Sequence, residues 1–208
     1  MESYKTVLCE ASDELTEKRS RFIGYVRPVA NADEANAFIA EIKSRHHDAR
    51  HNVYAYVLKD GNYKKYSDDG EPQGTAGLPM LELIEKSGLY DVCVVVTRYF
   101  GGILLGTGGL VRAYTNAAKL ALEAGGVALV RSCSVYSVEC DYGFHGKLMT
   151  VLADCGATVE STDFTDRVTV GFYLPAEESQ KVEAAVFEAS GGRFKPNYVT
   201  ERWLKTKI

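Results

Sequence analysis

The sequence predicts an α+β fold in two parts: a mixed first half, then a ferredoxin-like βαββαβ unit. Three observations predict it. Apolar residues alternate between period-two and 3.6-residue spacing, turn residues punctuate each switch, and strand, helix, strand, strand, helix, strand fit into the stretch after residue 130. At 208 residues the chain is long enough for two small cores, assigned here to 1–130 and 131–208.

In the first part "SRFIGYVRPV" alternates as a strand. "NADEANAFIAEIKSRH" follows as a helix, with Asn31 as N-cap, Asp33 and Glu34 in the first turn, and Ala35, Phe38, Ile39 and Ile42 on one face. "NVYAYVL" is a second strand, "SDDGEPQGTAG" a loop, and "LPMLELIEKSG" a short helix with Pro79 near its start and Gly88 past its end. "DVCVVVT" has the unbroken β-branched character of a strand buried on both faces. Leu110 to Glu123 is helical, and Gly125-Gly126 stops it.

In the second part "CSVYSVECD" reads as a strand and "YGFHGKLMTVLADCG" as a helix with Leu148, Val151, Leu152 and Cys155 inward. "ATVESTDF" and "RVTVGFYLP" form a hairpin around Thr165-Asp166, with Val168, Val170 and Phe172 facing the core. "AEESQKVEAAVFEASGG" is a helix and "RFKPNYVTERWLK" a last strand. The octamer that an RNA-recognition sheet carries on its third strand is absent from "RVTVGFYL".

Composition narrows the function classes. A hydrophobic fraction of 46% and a charged fraction of 25% are ordinary for a globular chain. The net charge is −4, with 15 basic against 17 acidic residues in 1–130 and 9 against 11 in 131–208. Neither half is a basic arm, so any nucleic-acid site must be a local patch. The opening residues show no basic stretch followed by an apolar one, and no apolar run approaches the roughly 20 residues of a membrane span. Cys9, Cys93, Cys133, Cys140 and Cys155 are scattered without a C-x-x-C pair. That pattern fits reduced thiols in a cytosolic protein, with Cys93 and Cys155 in the core.

The densest stretch is "TRYFGGILLGTGGLVRAY", residues 97–114. It is neither the dinucleotide fingerprint nor a Walker A loop, because the third glycine of the first and the Gly-Lys-Ser/Thr of the second are missing. A strand, a glycine turn and a helix start remain, flanked by Arg98 and Arg112. The glycines either allow tight helix-on-sheet packing or bring bare N–H groups, a helix dipole and two cations to an anion. Arg112, in the first turn of its helix, opposes the dipole there. The two arginines are expected to converge on a phosphate or a partner's carboxylate, and their removal to cost binding with little stability. The other possibility is internal pairing, Arg112 with an acid of the 68–71 loop.

"KKYSDDGEPQGTAGLP" offers Asp68, Asp69 and Glu71, either as Mg²⁺ ligands or as turn residues around Gly70. His47 and His51 imitate a zinc motif, but the helix pattern fades before them and a strand follows. His51 reads better as a polar residue entering a buried strand. No metal and no cofactor are expected. No nucleophile elbow and no cysteine–histidine pairing is evident, so no catalytic residue is assigned.

Three segments resemble the IMPACT/YigZ family: "DARHNVYAYV" at 48–57, "SDDGEPQGTAGLP" at 67–79 and "VVVTRYFGGILLGTGGLVRAY" at 94–114. The match extends over about residues 15–130. Val53 stands where many relatives have cysteine, which argues against a mechanism that needs a thiol there. The resemblance implies a first domain with the left-handed βαβ arrangement of the second domain of a small-subunit ribosomal protein. The same superfamily includes small-molecule kinases whose glycine loop holds phosphates. It also implies a second domain similar to the last domain of elongation factor G. Eukaryotic relatives act in translational control, competing for a partner that activates an initiation-factor kinase.

The resulting expectation is a non-enzymatic cytoplasmic binding protein linked to translation or its regulation. It would hold RNA, the ribosome or a ribosome-associated protein in a first-domain cleft. That cleft is assigned to Arg98, Tyr99, Gly101, Gly102, Gly106, Gly108, Gly109 and Arg112, faced by His51, Asp68, Asp69 and Glu71. Two other readings use the same residues. One is a phosphate-handling enzyme with Asp68 and Asp69 on Mg²⁺; the other is a protein-interaction adaptor in which these loops are scaffolding.

Overall fold

The computed structural model describes residues 2–207. In chain order the elements are β1 (Tyr4–Val7), β2 (Ala11–Glu17), β3 (Ser20–Pro28), α1 (Ala32–Arg45), β4 (His51–Val57), β5 (Lys64–Ser67), α2 (Gly77–Lys86), β6 (Val92–Tyr99) and α3 (Thr107–Gly125). They continue as β7 (Val127–Cys140), α4 (Tyr142–Asp154), β8 (Thr158–Phe164), β9 (Val168–Pro175), α5 (Ser179–Ala189) and β10 (Asn197–Lys207). The chain divides into two compact units, Tyr4–Leu129 and Val130–Leu204, with the residues from Lys205 belonging to the first. Both are mixed α+β with antiparallel strand pairing, as the sequence predicts.

The first unit is built on a sheet of order β2-β3-β6-β4-β5. β3 and β4 each run antiparallel to β6, so they are parallel to one another with β6 between them, and α1 makes the crossover. β6 explains its own composition. Val92, Val94 and Val96 face a core shared with Met80 and Ile84 of α2 and Tyr114, Ala117 and Ala121 of α3. Cys93 and Val95 face the other core, with Phe38, Ile39 and Ile42 of α1. A strand buried on both sides has no polar face to show.

Asn31 caps α1 as expected: its side chain accepts from Glu34 N at 2.9 Å, and Glu34 reaches back to Ala30 N at 2.8 Å. α3 lies so close to β3 that a Cβ at Gly24 would overlap the Ala117 carbonyl. β1, β2 and β5 are additional to the elements predicted from sequence. The helix of α3 also starts three residues earlier than the apolar pattern suggests, at Thr107.

In the second unit β7, α4, β8, β9, α5 and β10 follow the expected order, with β7 pairing β9, β9 pairing β8, and β10 pairing β7. One core collects Val168, Val170 and Phe172 of β9, Leu148 and Leu152 of α4 and Val182 and Val186 of α5. Cys155 is buried there, whereas Val151 is only partly so. Asp141 caps α4 through Phe144 N at 2.8 Å. Among the described residues no helix is long and apolar enough to cross a membrane.

Candidate functional site

The predicted cleft residues fall into several separate environments. His51, Glu71 and Arg98 meet in one cavity of about 300 Å³, lined also by Arg50, Phe100 and Leu104. Arg98 sits opposite His51 across the β4–β6 ladder, on a strand whose burial leaves its side chain 7% exposed. A charge taken that far from water needs a partner. Glu71 supplies it: Arg98 Nη1 donates to Glu71 Oε1 at 2.6 Å, and Tyr114 OH donates to the same oxygen at 2.8 Å. Burial first, and the Glu71 carboxylate second, raise the Tyr114 phenol well above its ordinary value, so it stays a donor. The Arg98 guanidinium lies between two rings, 5.4 Å from the centroid of Phe22 and 5.5 Å from that of Phe100. Its Nε is buried without an acceptor.

His51 Nδ1 is 2.8 Å from the Asp69 carbonyl oxygen. A carbonyl only accepts, so Nδ1 carries the proton and donates there. Nε2 then faces Glu71 Oε1 at 3.8 Å, beyond hydrogen-bond range.

Arg112 belongs elsewhere. It is exposed and lines a second cavity of about 340 Å³ with Glu17, Lys18, Leu105, Gly109 and Asn116. The expected convergence of Arg98 and Arg112 on one anion does not occur, and the internal pairing falls to the other arginine. Arg98, not Arg112, takes the acid of the 68–71 loop, because the buried position is the one that cannot stay unpaired. The expectation that losing both arginines would spare stability is corrected for Arg98 on the same ground. Arg112 has no hydrogen bond or ion pair among the described residues.

The remaining acids are occupied. Asp68 Oδ1 accepts from Ala76 N and Gly77 N at 3.1 and 2.8 Å, and Oδ2 from Gly74 N at 2.9 Å, so this side chain caps α2 from a distance. Asp69 Oδ1 pairs with Lys43 Nζ and Oδ2 accepts from Asn52 N, both at 2.7 Å. A Mg²⁺ ion would have to displace those donors. Among the described residues no three His, Cys, Asp or Glu side chains gather where a metal could be held.

Tyr99 points away from the cavity into a relay. Tyr25 OH lies 2.6 Å from His46 Nε2, His46 Nδ1 lies 2.9 Å from Tyr99 OH, and Tyr99 OH donates to Asp48 Oδ1 at 2.9 Å. That bond holds the Asp48 carboxyl below its ordinary range. Burial, then Arg45, lowers His46.

The glycines divide as well. A Cβ at Gly101 would overlap the Arg19 carbonyl, and its N–H donates to Ser20 Oγ at 3.1 Å, which locks the loop to the turn between β2 and β3. Gly102 and Gly106 have φ of 83° and 74°, the left-handed region. Gly108 lies in the first turn of α3, with open space where a side chain would be. Gly109 lines the Arg112 cavity. Gly106 is the N-cap of α3 and offers no side-chain acceptor, so the first N–H groups of the helix have no side-chain cap. Because the helix begins at Thr107, Arg112 lies in its second turn, not in the first as expected from the sequence.

Sequence reasoning missed Tyr114, Arg50, Phe100 and Lys18. Tyr114 sits on the apolar face of α3, and only the rule that a buried phenol finds a partner could have flagged it. Lys18 and Arg19 make the β2–β3 turn with φ of 45° and 66°, in a stretch with no glycine or asparagine to announce it.

Comparison with known proteins places this geometry. The family model "Impact N-terminal domain" matches residues 18–122, and "Domain of unknown function (DUF1949)" matches residues 138–193. The IMPACT family member YvyE of Bacillus subtilis is 37% identical over 194 residues, 93% of this chain and 89% of that protein. The IMPACT family member YigZ of Escherichia coli is 35% identical over 178 residues, covering 84% and 87%. A solved structure titled as a hypothetical protein is 32% identical with a TM-score of 0.61, covering 96% of this chain and 98% of its own. With both units matched and the strand, loop and helix that surround Arg98 inside the first match, the chain belongs to the IMPACT family.

Proposed function

We propose that this chain is a cytoplasmic binding protein linked to translation rather than an enzyme, and that its partner is RNA, free or on the ribosome. Family membership supports the link to translation, through the role that the sequence resemblance gives the eukaryotic relatives. The observation that carries the RNA reading is the corner at the start of α3. Arg112 makes no ion pair among the described residues, Lys18 and Glu17 share its cavity, and the first N–H groups of the helix have no side-chain cap. Two cations against one acid leave this corner, in a chain of net charge −4, with a local excess of positive charge of the kind that phosphate fits. The phosphate-transfer reading is disfavoured by its own candidate ligands, since the carboxylate oxygens of Asp68 and Asp69 are taken up by N–H and ammonium donors.

Co-sedimentation with ribosomal fractions at stepped salt tests the proposal. Binding should fall steeply as salt rises and should disappear after ribonuclease treatment. Arg112→Ala should lower the log–log salt slope by about 0.7 for each single-strand phosphate that the side chain neutralises. Binding that survives ribonuclease would make the partner a protein, and Mg²⁺-dependent nucleotide turnover would make the chain an enzyme.

A further inference from the structure

The geometry points to a base-reading pocket: the cavity of His51, Glu71 and Arg98 takes an unstacked guanine of single-stranded RNA. This rests on the RNA reading above and adds to it a ligand chemistry at a different cavity from the Arg112 corner.

The cavity contains hydrogen-bonding capacity that the fold leaves unused. On the acceptor side, His51 Nδ1 donates to the Asp69 carbonyl, so in the neutral ring Nε2 presents a lone pair. Of the Glu71 oxygens, Oε1 holds Arg98 and Tyr114, whereas Oε2 has no partner among the described residues. Both groups line the one cavity, with His51 Nε2 3.8 Å from Oε1 of the same carboxylate, beyond hydrogen-bond range. On the donor side, Arg98 Nε is buried and unpartnered on a residue only 5% exposed. That atom is closed off from the open space of the cavity, so it remains an internal cost of the fold and the ligand is read by the two acceptors.

Phe100, 42% exposed, and Leu104, 81% exposed, give the cavity an apolar rim. Arg50, also on the rim, pairs with no acid among the described residues. The complementary ligand is flat, with two adjacent N–H donors and an anionic tail. Guanine matches this through N1–H and the N2 amino group, with phosphate for Arg50. Adenine, cytosine and uracil each interleave a single donor group with acceptors on that edge, so they cannot satisfy two acceptors at once. Single-stranded RNA offers such edges, with the base stacked on an exposed aromatic side chain.

The test uses the full chain and short RNAs of sequence UUGUU, UUIUU and UUAUU, where I is inosine, which lacks the N2 amino group. UUGUU should bind at least tenfold more tightly than the other two. Phe100→Ala should weaken UUGUU by roughly 5- to 150-fold, the range of a lost base–aromatic stack. Phe100→Trp should keep the binding, and both variants should keep the parent's circular-dichroism spectrum, so that a loss in Phe100→Ala is not a loss of fold even though Arg98 loses one of its two rings. Equal binding of all three RNAs, or a Phe100→Ala chain that binds as the parent does, overturns the pocket. If that equal binding is still salt-dependent, the RNA reading stands without it. If none of the RNAs and no ribosomal RNA binds, both fail, and the apolar rim is left to a protein partner.

Discussion

Arg98 holds its charge inside a strand buried on both faces, and Glu71 is what makes that position tolerable. Removing one member of such a pair leaves the other charge uncompensated, so Arg98→Ala should cost about 3–5 kcal/mol, read by urea unfolding. Arg98→Met combined with Glu71→Leu and Tyr114→Phe should recover most of that loss, because the whole buried network is then apolar and the Tyr114 hydroxyl is not left unpaired. Arg112→Ala should stay within about 0.5 kcal/mol of the parent, since the side chain is exposed and makes no pair. His46 adds a pH dependence. Its folded-state value is depressed by burial and Arg45, so its contribution is complete above about pH 6.5 and is lost as pH falls through the folded value. The thermal midpoint should therefore drop more between about pH 7 and 5 in the parent than in His46→Gln.

Elements with a buried face were legible in the sequence, and those without one were not. α1, β6 and β9 each place apolar residues at their own period. β2 reads ASDELTE, mostly exposed, and β5 is four exposed or half-buried residues, KKYS, so neither leaves a hydrophobic signature. Their positions come from ladders with β3 and β4. The site was legible only in part for a related reason. Glu71 and Arg98 were both chosen as candidates, but their pairing spans 27 residues and no local pattern encodes it.

The glycine loop shows the same division. Gly101→Ala should destabilise most, because a Cβ there meets the backbone of the β2–β3 turn. Gly102→Ala should cost about 1 kcal/mol through its positive φ. Gly108→Ala, in a helical turn with room for a methyl, should be neutral or stabilising by up to about 1 kcal/mol. Thermal unfolding of the three variants would rank them.

At the scale of the molecule, the cores of the first unit and the core of the second share no residue. Calorimetry of the full chain should resolve two transitions. A cut between residues 130 and 131 passes through β7, Val127–Cys140, so fragments 1–130 and 131–208 should each melt below the corresponding transition of the intact chain. The first unit is also discontinuous in sequence. Lys205 Nζ donates to the Leu8 carbonyl at 3.3 Å and Thr206 Oγ1 to the Leu129 carbonyl at 3.1 Å, although the second unit lies between them in the chain. On a translating ribosome, residues 4–129 therefore emerge well before the segment that completes them. At about 5–20 residues per second the delay is on the order of 4–15 s, far longer than a small domain needs to collapse. Throughout it β7 lacks its β10 neighbour and presents an open edge to other nascent chains. Synthesis speed through the second unit thus sets how long the first remains open to mispairing.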